Sequence, residues 1–149
     1  MINSLITYTG IDNIDNLNEY EYCKKYILSG HIEVNDEVSE LLSFNVSKES
    51  IGYKCINTFV DSNYEKVDIS GDLIIIHNKF NLSFEYSVIN SPRLHILTKE
   101  FFKSIYISLE DYYNESFEVG LHILDLHTTL LSSKKIYYCI NISNCINCR

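Results

Sequence analysis

Strict alternation of apolar and polar side chains is the feature that most limits how this chain can fold. From Phe80 to Tyr86, apolar or aromatic residues occupy every second position, with Asn, Ser and Glu between them. Successive side chains of a β-strand point to opposite faces, so this pattern predicts a strand with one buried face and one exposed face. The same alternation recurs over residues 101–109 and 135–143. We therefore expect a mostly β fold.

The other segments supply further strands. Aromatic and β-branched residues dominate residues 20–34 and 50–60. Residues 67–77 and 80–88 predict a hairpin that turns at 77–79, residues 94–97 a short strand, and residues 119–128 and 135–143 a final hairpin. About eight antiparallel strands favour a β-sandwich or a partly open barrel.

One segment departs from the period of two. In residues 36–42, Val38, Leu41 and Leu42 are spaced at i, i+3 and i+4, and acidic residues lie near the start. This spacing predicts one short helix.

The length of 149 residues favours a single domain, because a chain of this size buries about two thirds of its unfolded surface. Residues 1–19 are polar and lack a sustained period, so they predict an N-terminal arm. Residues 20–143 form the predicted β-domain, and residues 144–149 a cysteine-bearing C-terminal tail. An arm without its own core is expected to order by docking on a neighbouring molecule.

Charge and motifs exclude several classes of protein. A net charge of −8 argues against nucleic acid as a partner, because phosphate binding needs a basic surface. No apolar run approaches the ~20 residues of a membrane-spanning helix, and the N-terminus lacks the pattern of a secretory signal, which predicts folding in a cytosol. The sequence contains no G-x-S-x-G, P-loop or H-E-x-x-H motif, so we predict neither an enzyme nor a bound cofactor.

Three of the five cysteines lie within the last eleven residues, at a terminus expected to be exposed: Cys139, Cys145 and Cys148. An odd number of cysteines leaves one thiol for another molecule in an oxidising environment, which predicts inter-chain disulfides. Cys23 is the expected partner, because the two lysines that follow it can lower its thiol pKa. Intrachain bonds and reduced thiols remain alternatives. The three tail cysteines with a histidine are a further, zinc-binding alternative.

His122 and His127 are five residues apart, so they are expected on opposite faces of a continuous strand. They could not share a metal ion unless a bulge intervened. Asp125 is expected on the face of Leu121 and Ile123, as a hydrogen-bonded structural acid.

The middle of the chain also resembles a known family. The segments at 55–58, 69–75 and 81–86 resemble the SPOCS domain, which is found in spore coat and exosporium proteins of clostridia and bacilli. Residues 94–96 and 101–109 fit the next segments of that pattern, residues 36–42 resemble a short segment upstream, and residues 124–127 with 135–137 its closing hairpin. The resemblance covers residues 24–143, and Val34-Asn35 replaces the usual proline-rich lead.

The resemblance implies a structural role in the outer layer of a spore, as a lattice, tube or appendage fibre. Such a protein would be made in the mother-cell cytoplasm and placed on the spore surface. Our leading hypothesis is a self-assembling homo-oligomer joined by domain contacts and inter-chain disulfides, with other coat proteins as further partners. The alternatives are a monomeric module that recruits a coat protein or a glycan through its tyrosines, and a zinc-binding protein.

Overall fold

Seven strands make up the described part of the fold. The computed structural model describes the backbone of residues 5–13, 19–60, 69–109 and 117–148, and their side chains except at 56–60, 69–72, 109 and 148. The strands are β1 (Thr7–Thr9), β2 (Tyr22–Glu33), β3 (Val38–Val60), β4 (Ile69–Val88), β5 (Leu94–Leu109), β6 (Phe117–Ser132) and β7 (Lys135–Cys148). The prediction of a mostly β fold is confirmed.

The strands form two sheets that pack as a sandwich. The first sheet has the order β1-β3-β4-β5 and the second β2-β7-β6; β1 runs parallel to β3, and all other pairs are antiparallel. Phe44 and Phe84 of the first sheet stack with ring centroids 4.5 Å apart, and Phe84 contacts Tyr138 of the second. The apolar faces meet between the sheets, as the alternation predicts.

The prediction of a turn at residues 77–79 is wrong, because the 20-residue strand β4 runs through these positions. Asn78 is only 1% exposed and donates a hydrogen bond to the side-chain oxygen of Asn144 at 2.8 Å. A partner in the opposite sheet therefore satisfies an amide that, in the sequence, resembles a turn residue.

The helix predicted over residues 36–42 is also wrong. Residues 38–42 begin β3, and the pairing with β4 shifts register between Val38 and Glu40 and again between Leu41 and Ser43. Each bulge inserts one extra residue, so β3 advances three residues while β4 advances two. The buried residues therefore recur every third position, at Val38, Leu41 and Phe44, which imitates helical spacing.

The described part of the N-terminal arm docks on its own chain. Its strand β1 pairs with the middle of β3, from Thr7 opposite Ser43 to Thr9 opposite Asn45. The arm was expected to order on a neighbouring molecule, whereas these residues add a strand to the edge of the chain's own sheet.

The expectation of an exposed C-terminal tail is wrong for its described residues. β7 continues to Cys148, and Asn144, Cys145 and Ile146 are fully buried. No helix in the described ranges is long and apolar enough to cross a membrane.

Candidate functional site

Cys23 and Cys145 form a disulfide within one chain. The two residues stand directly opposite each other on β2 and β7, with their Cα atoms 4.1 Å apart. A short Cα separation is typical of the non-hydrogen-bonded positions of an antiparallel pair. In this chain the two thiols are therefore joined to each other, although the sequence suggested a partner in another molecule.

The other predicted cysteine positions differ from this pair. Cys139 is a free thiol, half-buried on the outer face of the second sheet, between Ser29 of β2 and His127 of β6. The side chain of Cys148 lies outside the described part of the structure. Among the described residues, no three His, Cys, Asp or Glu side chains are arranged to hold a metal ion.

A bulge in β6 overturns the predicted placement of its histidines. Pairing with β7 shifts register between Ile123 and Asp125, so His122 stands opposite Ser143 and His127 opposite Cys139. These β7 residues are four apart, which places both histidines on the same outer face but about 13 Å apart along the sheet. They share a face, yet they are too far apart to bind one ion.

The same bulge moves Asp125 to the outer face, opposite Asn141, away from the face of Leu121 and Ile123. The expectation that Asp125 lies with those apolar residues is therefore wrong. Its carboxylate accepts a hydrogen bond from the backbone N–H of Leu126 at 2.9 Å.

A buried polar cluster links the two sheets. The Asn78 amide donates to the Asn144 side-chain oxygen at 2.8 Å, and the Tyr26 hydroxyl donates to the same oxygen at 2.7 Å. Burial raises the pKa of Tyr26, although its hydrogen bond with Asn78 acts in the opposite direction. The neutral hydroxyl therefore stays a donor, and the cluster holds β4, β7 and β2 in one mutual register.

The arm is attached by paired polar contacts to the second sheet. Asp12 donates its N–H to the carbonyl of Ile123 at 2.8 Å, and its carboxylate accepts the N–H of Ile123 at 2.7 Å and pairs with Lys48. The Tyr8 hydroxyl lies within hydrogen-bond distance of both the N–H and the carbonyl of Thr128. Residues 8–12 therefore bridge β3 and β6 on one side of the sandwich.

β5 forms the opposite border of the first sheet. Among the described strands it pairs with β4 alone, so the other edge of this 16-residue strand is not covered by a strand. The Lys24 ammonium donates to the carbonyl of Tyr106 at 2.8 Å and lies 4.9 Å from its ring centroid. The carbonyl of Tyr106 thus points to the free edge, and so do the N–H and C=O groups of the other even-numbered residues.

The outer face of β5 is apolar at four positions, each more than 60% exposed: Leu94, Ile96, Phe102 and Tyr106. The alternation over residues 101–109 does not reveal that the outward face of this strand is also apolar. The available signal was the occurrence of adjacent apolar residues, as at Phe101-Phe102, since a half-buried strand should be apolar at every second position only.

Comparison with protein-family models, with curated proteins and with solved structures finds no match to this chain.

Proposed function

We propose that this protein is a structural, self-assembling component of a bacterial spore outer layer, and that its copies join through the free edge of β5. The observation that carries the proposal is a 16-residue edge strand with four large apolar side chains exposed on one face. Soluble monomers usually shorten, cover or charge such an edge, because it pairs readily with another strand. The resemblance to SPOCS domains supports the spore location.

A second copy fits this edge as an antiparallel partner related by a two-fold axis at Phe102. Phe102 then faces its own counterpart, Glu100 faces Ser104, and the Lys103 ammonium faces the ring of Phe101. A lysine already lies 4.8 Å from the Phe101 ring within one chain, so this ring accepts a cation.

The charges of β5 select this register over its neighbours. An axis at Phe101 would oppose Lys99 and Lys103, and an axis at Glu100, Lys99 or Lys103 would oppose that residue to its own copy. Axes further along the strand avoid like charges but shorten the paired segment. The axis at Phe102 therefore gives the longest overlap, residues 95–109, without like charges directly opposite each other.

A two-fold contact alone ends at a dimer, so growth into a layer requires a second contact. The free thiol of Cys139 lies on the second sheet, away from β5, and Cys148 follows on the same strand. We infer that inter-chain disulfides at Cys139 or Cys148 join the dimers. In this proposal the protein has a structural role rather than a catalytic one.

Sedimentation velocity of the full chain over a range of concentrations tests the β5 contact. Phe102→Glu places two carboxylates at the axis and should raise the dimer dissociation constant at least about tenfold. The matched control is Ile27→Glu, which is 65% exposed on the edge strand of the other sheet and should leave assembly unchanged.

Equal assembly by Phe102→Glu and the wild type would refute the β5 contact. A wild type that stays monomeric at millimolar concentration would refute self-assembly and favour the recruiting module instead. Non-reducing gels of Cys139→Ser test the second contact, since loss of covalent ladders is expected if Cys139 joins the dimers.

A further inference from the structure

The outer face of the first sheet carries a shallow depression of about 480 Å³. Six neutral polar side chains from four strands line it: Thr9, Asn45, Ser47, Asn81, Ser83 and Thr98. Its volume is within the range of sites that bind small molecules.

Strand register arranges these side chains in rows. Thr9, Asn45, Ser83 and Thr98 stand opposite one another on β1, β3, β4 and β5. Because neighbouring strands are about 4.8 Å apart, the row is about 14 Å long. Ser47 and Asn81 form a second row beside it. The depression is therefore elongated across the strands, which suits a linear ligand.

None of these six side chains forms a hydrogen bond or ion pair with another group in the described ranges. Other polar side chains on this face are paired: Ser39 lies 2.7 Å from Ser87, and Lys79 pairs with Glu100 at 3.4 Å. The six groups are therefore not used to hold the fold together, and they remain available to a ligand in the depression.

The chemistry of the lining defines the class of ligand. A hydroxyl group donates and accepts hydrogen bonds, and a carboxamide does both through separate atoms. The hydroxyl groups of a sugar require this combination. None of the described residues that line the depression is ionised, so these residues favour neither an anionic nor a cationic ligand.

Apolar side chains lie on β5 beside the polar rows. Ile96 and Phe102 are 63% and 66% exposed on the same face as Thr98, two residues before it and four residues after it. Such side chains pack against the apolar faces of sugar rings, while hydroxyl and amide groups bond their edges.

We propose that this depression is a binding site for a neutral oligosaccharide. The site goes beyond the assembly role and does not depend on the β5 edge, because the outer face stays open when strands are added to the sheet. A protein that both assembles and binds neutral glycan would hold polysaccharide against the layer that it builds.

Heteronuclear NMR titration of the full chain tests the site with three hexasaccharides, of β-1,4-linked glucose, β-1,4-linked N-acetylglucosamine and α-1,4-linked glucose. At least one should shift the side-chain amide resonances of Asn45 and Asn81 at millimolar concentration. The double variant Asn45→Ala/Asn81→Ala should weaken that binding at least about tenfold.

The control is Asn141→Ala, which removes a half-buried amide from the outer face of the second sheet and should leave the affinity unchanged. The proposal is overturned if none of the three sugars shifts these resonances, or if the double variant binds as tightly as the wild type.

Discussion

Opening the Cys23–Cys145 bond is expected to lower the free energy of unfolding by roughly 5 kcal/mol. The bond closes a loop with a sequence separation of 122 residues, and the loss of chain entropy in the unfolded state grows with the logarithm of that length. The chain-entropy relation gives about 4.9 kcal/mol at 25 °C for this separation, an upper value since most disulfides contribute about 2–4 kcal/mol. Few single changes in the chain should cost as much.

Guanidinium unfolding of the oxidised and the reduced wild type measures this loss directly, because reduction keeps both cysteine side chains. The Cys23→Ala/Cys145→Ala variant should resemble the reduced protein, and Cys139→Ser should unfold like the wild type. A loss below about 1 kcal/mol on reduction would refute the reasoning from loop length. A change in mass on non-reducing gels, without a change in stability, would mean that Cys23 and Cys145 pair between molecules.

Three further changes test other parts of the structure. Gly10 has a φ of +118°, and Gly10→Ala would place a Cβ against the backbone of Val46. The arm should therefore undock, and the backbone amide of Ile123 should exchange its hydrogen faster with solvent. Unchanged exchange would contradict the docking. Asn144→Leu removes the oxygen that accepts hydrogen bonds from both Asn78 and Tyr26, and should lower the free energy of unfolding in urea by about 1–3 kcal/mol. Unchanged stability would mean that the cluster is dispensable. Burial and a nearby lysine lower the pKa of His122, so on acidification the unfolded chain binds a proton at this residue before the folded chain does. The free energy of unfolding should therefore fall below about pH 6.5, and less steeply in His122→Phe. Identical pH profiles of the two proteins would exclude a contribution from this residue.

Local patterning predicted the faces of individual strands well. Phe80, Leu82, Phe84 and Tyr86 are all buried, as their alternation requires, because a residue's face in a regular strand depends only on its position along that strand. A bulge breaks this rule, since the extra residue is visible only against the partner strand. For that reason the sequence pattern predicts a helix where β3 begins and places His122 and His127 on opposite faces.

Contacts between distant residues account for the other errors. Asn144 is a polar residue at an inward position of β7, where the alternation calls for an apolar one. The sequence pattern therefore predicts a strand that ends at residue 143. Its partners Asn78 and Tyr26 are 66 and 118 residues away, beyond any local pattern. The pairing of Cys23 with Cys145 likewise follows from the β2–β7 register, which the spacing of the cysteines does not reveal.

The disulfide has a mechanical consequence when the two ends of the chain are under tension. A pull applied to the residues before Cys23 and after Cys145 passes from one strand to the other through a covalent bond. The 121 residues between the two cysteines are bypassed by that load, so strands β3 to β6 cannot be pulled apart by it while the bond is intact. Formation of this bond would therefore prevent tension on the two ends from extending the segment between Cys23 and Cys145.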